Sequence, residues 1–324
     1  MTTVLLTGAG GQVGWALRRA LPASCTVIAP GRDLLDLSDP DSIRRAVREC
    51  RPDIILNPAA YTAVDKAESE ADLAMAVNGV APGLFAEEAE RLGALLVHYS
   101  TDYVFDGEKS SPYTEEDVPN PQSVYGRSKL AGERAIQAVD GNYLILRTSW
   151  VYGEHGGNFV KTILRLARER DELRIVADQF GAPTWARSLA ESTVRILNLS
   201  SDSATTQSKG VAGRDESRYV GLKSDLRMTD RSGIYHLTAA GRTSWHEYAQ
   251  EIVRLARQYD ASLADKLLAI HPIATHEYPV PAKRPANSVL DTGKLTRTFG
   301  LTLPQWQDDL AACVKALYQE ADAE

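Results

Sequence analysis

The sequence predicts an α/β protein with a Rossmann-type doubly wound parallel sheet and a smaller C-terminal α/β substrate-binding domain. Three observations carry this expectation. Short unbroken apolar runs alternate with amphipathic stretches through the first half of the chain. Strands buried on both faces have that continuous apolar character, and their alternation with helices makes βαβ units. A glycine-rich turn follows the first run directly. The chain has 324 residues, 44% of them hydrophobic, enough for about two domains without a disulfide or metal to hold a core.

Taken in order, Val4-Leu5-Leu6, Thr26-Val27-Ile28, Asp53-Ile54-Ile55-Leu56, Leu95-Leu96-Val97-His98 and Leu144-Ile145-Leu146 read as strands. Helical periodicity places helices over 12–21, 40–50, 69–92 and 124–139. Asp39-Pro40 offers an N-cap followed by proline at the first helical position. Beyond residue 150 the alternation loosens. Helices are expected near 158–170, 185–198, 244–258 and 304–319, and strands near 173–176 and 234–237. We therefore assign 1–150 to a dinucleotide-binding domain and 151–324 mainly to a substrate-binding domain, with room for the chain to cross back. Residues 200–232 are rich in Ser, Gly, Asp, Lys and Arg and read as a tolerated surface insertion, since long loops cost little entropy. A lid or partner-docking loop is the functional alternative.

Lys plus Arg total 36 against 43 Asp plus Glu, a formal charge of −7, which excludes the basic footprint of a nucleic-acid binder. A local basic pocket for an anionic ligand stays open. Cys25, Cys50 and Cys313 are odd in number and lack metal-ligand spacing, as expected of a reduced cytoplasmic protein. The first apolar run has no basic leader, and no stretch reaches the roughly 18 apolar residues of a membrane span. Neither export nor a membrane association is expected.

The glycine turn is Thr7-Gly8-Ala9-Gly10-Gly11-Gln12-Val13-Gly14. Gly8 permits the tight turn, Gly11 lets the backbone approach a pyrophosphate, and Gly14 lets helix pack on strand. Backbone N–H groups from Gly11, Gln12 and Val13, aided by the helix dipole, suit a dinucleotide phosphate. The second strand ends in Ala29-Pro30-Gly31-Arg32-Asp33. An arginine there accommodates the 2′-phosphate of NADP, so Arg32 favours NADP(H), with NAD(H) still open if Arg32 is merely a solvated side chain. Asp36 and Leu37 are candidate adenine contacts. Ala59, Ala60 and Thr62, in the small-residue loop after the third strand, are candidates to lie along the cofactor.

Tyr125 and Lys129 are four residues apart, on one face of a helix. A free phenol titrates near ~10, and lowering that by ~3 units asks for ~4 kcal/mol. A lysine cation and a cationic nicotinamide are suited to supply it. Tyr219 and Lys223 repeat the spacing inside the expected insertion, without a preceding strand. The first pair does have one, ending at Ser100-Thr101, and ligands bind at such strand ends. Ser100 or Thr101 is therefore placed to meet a substrate oxygen beside Tyr125, the plainer alternative being a turn hydroxyl.

Thr7–Gly14, Asn57-Pro58-Ala59-Ala60, Ser100-Thr101 and the Tyr125/Lys129 pair together resemble an extended short-chain dehydrogenase/reductase. Longer segments are similar to the dTDP-4-dehydrorhamnose reductase family: residues 63–68, 98–107, 147–152, 178–184 and 284–288. The resemblance implies reduction of the C4 ketone of dTDP-4-dehydro-L-rhamnose by NADPH. It implies Tyr125 as proton donor, Lys129 as the residue that lowers the Tyr125 pKa and holds the nicotinamide ribose, and Thr101 orienting the tyrosine or the sugar oxygen. Asp102, Tyr103 and Trp150 match residues placed around the sugar, and Arg284 and Asn287 lie in a matching segment. Arg284 suits a diphosphate, which a guanidinium binds bidentately; a solvated basic loop with Lys283 is the alternative. Some family members bridge two subunits through Mg2+, but the matching positions are Ala16 and Arg187, poor ligands for a hard cation. No metal is expected, and both monomer and homodimer remain open.

Three other readings compete. A dehydratase would share the fold, but related ones carry Thr-Asp-Glu where this chain has Thr101-Asp102-Tyr103. An epimerase would retain tightly bound NAD. A non-catalytic regulator similar to the β subunit of methionine adenosyltransferase has no need of an intact Thr101, Tyr125 and Lys129.

Overall fold

Parallel pairing obliges every strand to be fed by a crossover, and the chain provides one each time. The structure, a computed structural model, describes residues 1–199 and 231–321. Most of the expected insertion, with Tyr219 and Lys223, lies outside the described residues. The strands are β1 (Thr2–Leu6), β2 (Cys25–Ile28), β3 (Ile54–Asn57), β4 (Leu95–Thr101), β5 (Asn142–Thr148), β6 (Val151–Tyr152), β7 (Glu172–Val176), β8 (Phe180–Gly181), β9 (Thr184–Trp185), β10 (Gly233–His236), β11 (Thr243–Ser244) and β12 (Ala269–Ile273). The helices are α1 (Gln12–Ala20), α2 (Pro40–Cys50), α3 (Val64–Ala67), α4 (Ala71–Met75), α5 (Ala81–Leu92), α6 (Val124–Gln137), α7 (Phe159–Glu169), α8 (Ala186–Ile196), α9 (Trp245–Ala256), α10 (Ser262–Lys266), α11 (Gly293–Phe299) and α12 (Trp306–Ala321).

Six strands form one parallel sheet in the order β2-β1-β3-β4-β5-β10. The order reverses between β1 and β3, the switch point where such sheets bind ligands. The sixth strand comes from beyond residue 230, and α8 packs against α1, so both return to cover the sheet. Apolar side chains alternate between its faces. Val4, Leu6, Leu56, Val97 and Leu146 meet α1 and α8, whereas Leu5, Ile55, Leu96 and Ile145 meet α2, α5 and α6. A separate core gathers α7, α9 and α12 around Tyr152, Leu164, Tyr248 and Trp306.

The periodic stretch 69–92 is not one helix. It runs as α4, a π-turn over Ala76–Val80, and α5. Pro82, near the start of α5, has no N–H to offer the Asn78 carbonyl, so the regular ladder breaks there. The freed segment turns the buried Asn78 side chain to Tyr61 N–H (2.8 Å) and the Ser128 hydroxyl (3.1 Å). The strand β12 and helix α11 have no counterpart in the sequence expectations; both are short, and β12 contains Pro272.

Near the carboxyl ends of the strands the face toward α6 changes character. Leu5, Ile55 and Leu96 give way to Thr7, Asn57 and His98, and Ile145 gives way to Arg147. Register makes two polar rows, Thr7–Asn57–His98 and Ser100–Arg147–His236. Helix α6 meets them with two side chains one turn apart. Lys129 lies against the first row. Glu133 lies against the second, accepting both Nε (2.9 Å) and Nη2 (2.6 Å) of Arg147 and the Ser100 hydroxyl. Arg147 and Glu133 are almost wholly buried. Removing one partner of such a pair strands the other charge in a low dielectric. Glu133→Ala should therefore lower unfolding free energy in urea by about 3–5 kcal/mol; a loss below about 1 kcal/mol would show that Arg147 is readily solvated.

Candidate active site

A cleft of 470 Å3 opens at the ends of β1, β3 and β4. One wall is the turn after β1. Gly8 adopts φ +56°, and a Cβ on it would lie 2.9 Å from Ala59. A Cβ on Gly14 would lie 2.1 Å from the Gly8 carbonyl oxygen, so α1 can start this close to the strand only with glycine there. Of the expected cofactor residues, Gly8, Gly11, Gln12, Val13, Gly14, Ala59, Ala60, Thr62, Tyr125 and Lys129 all line this cleft. Side chains do not cap the first turn of α1, whose N-cap is Gly11. The Gly11 N–H is taken by the Gly8 carbonyl (2.9 Å), but no side chain caps the amides that follow it at the start of α1, so the cradle fits a dinucleotide phosphate.

Arg32, Asp36 and Leu37 lie outside that lining, on the loop after β2. Arg32 is exposed. The Asp36 carboxylate accepts bonds from the Ser38 N–H (2.9 Å) and hydroxyl (2.7 Å), which hold it below the usual carboxylate range. Leu37 packs against the α2–α5 core.

Ser123 caps α6 by accepting from the Gly126 N–H (3.1 Å), and this start brings Tyr125 and Lys129 to the cleft. Burial raises the Tyr125 phenol above its ordinary value; the Thr101 hydroxyl opposes this, and the nearby Asp102 carboxylate adds to it. Tyr125 is therefore protonated at neutral pH, against the expected lowering by Lys129, because burial dominates. Lys129 is 1% exposed, and its ammonium donates to the Tyr99 carbonyl (2.6 Å) and lies 3.2 Å from His98 Nε2. Burial lowers it from 10.5 to about 8, with Glu133 pulling the other way. Thr101 donates to Asp102 Oδ1 (2.9 Å), and burial pushes Asp102 up to about 6. Ser100 also lines the cleft, with its proton given to Glu133, and Thr101 is the hydroxyl hydrogen-bonded to Tyr125.

The expected sugar contacts are held by internal partners. Trp150 sits half-buried at φ +48°, with Trp245 stacked on it at 3.5 Å between ring centroids. Tyr103 meets Tyr125 edge-on, at 5.5 Å between centroids. Arg284 donates to Asp65 (2.7 Å) and to the Tyr103 hydroxyl (3.2 Å), so it is not a loose surface cation. The Asn287 amide donates to the carbonyls of Lys109 (2.7 Å) and Ser111 (3.1 Å), binding the 106–111 turn to the C-terminal segment.

Some site residues carried no sequence signal. Gly156 and Gly157 line the cleft from the far side. Beside them His155 Nε2 lies 3.0 Å from the Gly10 carbonyl, and the Asn158 amide donates to Gln12 Oε1 (3.0 Å). This loop spans the mouth of the cleft from beyond residue 150.

The family described as RmlD substrate binding domain matches residues 1–212 and 220–319. This chain belongs to that family. The dTDP-4-dehydrorhamnose reductase of Burkholderia thailandensis is 47% identical over 317 residues, covering 98% of this chain and 99% of the relative. That of Escherichia coli K12 is 42% identical, covering 97% and 98%. Among solved structures, the Bacillus anthracis dTDP-4-dehydrorhamnose reductase in complex with NADP has 34% identity and a TM-score of 0.81, covering 97% of this chain and 99% of that one. A UDP-glucose 4-epimerase from Thermus thermophilus, at 21% identity and a TM-score of 0.72, shares the fold. Ala16 is buried in α1, and Arg187 donates to the buried Glu154 (2.6 Å).

Gly14→Ala should abolish dinucleotide binding, because α1 must move away from Gly8. Fluorescence titration with NADPH checks this; unchanged affinity in a folded variant would show that the turn is not the phosphate cradle.

Proposed function

We propose that this protein reduces the C4 ketone of dTDP-4-dehydro-L-rhamnose to give dTDP-L-rhamnose, with NADPH as reductant. The observation that carries the reading is the convergence of Tyr125, Lys129 and the glycine turn on one cleft, in a chain of the reductase family. NADPH held there supplies hydride to C4. The backbone N–H groups of Gln12 and Val13 would hold its diphosphate, with Gly11, Ala59, Ala60 and Thr62 alongside, and Lys129 would hold the nicotinamide ribose.

Tyr125 then gives its proton to the oxygen that gains charge at C4. A phenol kept protonated by burial suits a donor. Lys129 places positive charge near the phenolate left behind. Thr101 orients the phenol, and Asp102 holds Thr101 through Oδ1. Tyr103, Trp150, Arg284 and Asn287 form the sugar-nucleotide side. Arg284, already aimed by Asp65 and Tyr103, is suited to the diphosphate, while Asn287 acts by shaping the turn it binds. We assign Arg32 to the 2′-phosphate; its exposed guanidinium beyond the end of β2 supports this. No helix among the described residues is long and apolar enough to cross a membrane. Cys25, Cys50 and Cys313 are free thiols, which supports a reducing, cytoplasmic setting.

Tyr125→Phe should lower kcat about 10²–10⁴-fold with NADPH affinity retained. Equal turnover in both proteins would eliminate Tyr125 as the donor. Arg32→Ala should weaken NADPH about 10–100-fold, the loss of a charge-assisted bond, and leave NADH nearly untouched. Equal losses for the two cofactors would reassign Arg32 to the solvated surface.

A further inference from the structure

Lys129 has three N–H donors. Two have partners, the Tyr99 carbonyl and His98 Nε2, leaving one for a ligand in the cleft. The other groups that face this lysine are few. On its own helix they are Tyr125, lining the same cleft, and Glu133, whose carboxylate is taken by Arg147 of β5 and Ser100 of β4. His98 is thus the one side-chain acceptor on the ammonium among the described residues.

His98 is itself fully buried, and its other nitrogen does not face solvent. Nδ1 lies 3.1 Å from the Asn57 amide, directly across the β3–β4 ladder. Asn57 turns its NH2 to His98 here, and its Oδ1 accepts from the Thr7 hydroxyl (2.7 Å), which itself accepts the Ala59 N–H (3.2 Å). The chain Lys129–His98–Asn57–Thr7–Ala59 therefore runs from the catalytic helix to both loops of the cofactor cradle. Hydrogen-bond polarity fixes how it operates. When Lys129 is charged, Nε2 must accept and the imidazole proton must sit on Nδ1. Asn57 then turns its oxygen to His98 and its NH2 to Thr7, an exchange an amide makes by rotation.

We propose that His98 is a positioning residue for Lys129, a neutral acceptor backed by Asn57 and Thr7 that holds the charged lysine at the cofactor cleft. This rests on the reductase reading for its catalytic consequence, but the holding itself is a property of the buried chain. Burial and the Lys129 charge keep His98 well below its ordinary range, so it stays an acceptor at neutral pH. Lys129 is cationic below about pH 8 and loses its proton as pH rises through that value. Removing the acceptor destabilises the cation, so the loss must begin at lower pH.

The test is the pH dependence of NADPH affinity, read by fluorescence without sugar substrate, in wild type, His98→Leu and His98→Gln. Glutamine can offer its side-chain oxygen near the place of Nε2; leucine cannot. In His98→Leu the alkaline loss of affinity should move down by about one to two pH units, the equivalent of one hydrogen bond to a charged group. His98→Gln should keep the wild-type position. The alkaline limb of kcat should shift with it, and KM for the keto-sugar should not change. A folded leucine variant with an unmoved limb would overturn the proposal, as would a glutamine variant whose limb moves down. If leucine fails to fold, the glutamine limb alone decides. If wild type binds NADPH but does not reduce the keto-sugar, the reductase reading fails while the affinity profiles still judge His98.

Discussion

The polar seam between α6 and the sheet governs the active site. A buried ammonium and a buried carboxylate, one helical turn apart, each tolerate only a narrow set of neighbours. Lys129 finds carbonyl and imidazole acceptors; Glu133 finds a guanidinium and a hydroxyl. Moving α6 by one turn would set Lys129 against Arg147 and leave Glu133 without its cation. Apolar packing alone would accept such slippage far more readily, because dispersion is not directional. The seam thus fixes both the height and the rotation of the helix. Tyr125, one turn before Lys129, takes its place at the cleft from that fit, with Ser123 setting where the helix begins.

Much of this architecture was legible from residue order. The first five strands, the glycine turn and the Tyr125/Lys129 spacing are local patterns, and local patterns survive without knowledge of register. The seam was not legible, because it is made by register. Thr7 meets Asn57 fifty residues on, and Asn57 meets His98 forty-one residues on. His98 read merely as the end of an apolar run. A sharper signal lay in Arg147, a charge closing the strand Leu144-Ile145-Leu146, since a buried arginine requires a partner. The π-turn escaped for a related reason: Pro82 suits the start of a helix, and only the packed structure shows that the preceding turn continues into it.

The substrate half shows how an expected contact can have a prior commitment. Arg284 is held by Asp65, Trp150 by Trp245, and Asn287 by two backbone carbonyls. The family resemblance implied these residues as sugar-nucleotide contacts, yet it could not reveal their internal partners. Such bonds restrict rotamers before a ligand arrives, which lowers the ordering cost of binding. Arg284 also joins a proline-rich C-terminal segment to α3, so one guanidinium ties together segments 219 residues apart.

The sixth strand gives the sheet a history as well as a shape. β10 seats beside β5 only after the chain has travelled far beyond it; Tyr143 and Ser232, which meet at this edge, are 89 residues apart. During synthesis β5 emerges long before its outer neighbour, leaving an open strand edge and a face of the sheet not yet covered by α8. Pairings this distant in sequence slow folding and prolong the interval in which a bare edge can recruit the wrong strand. The nascent sheet is thus an unfinished object, dependent for its final edge on residues beyond 230.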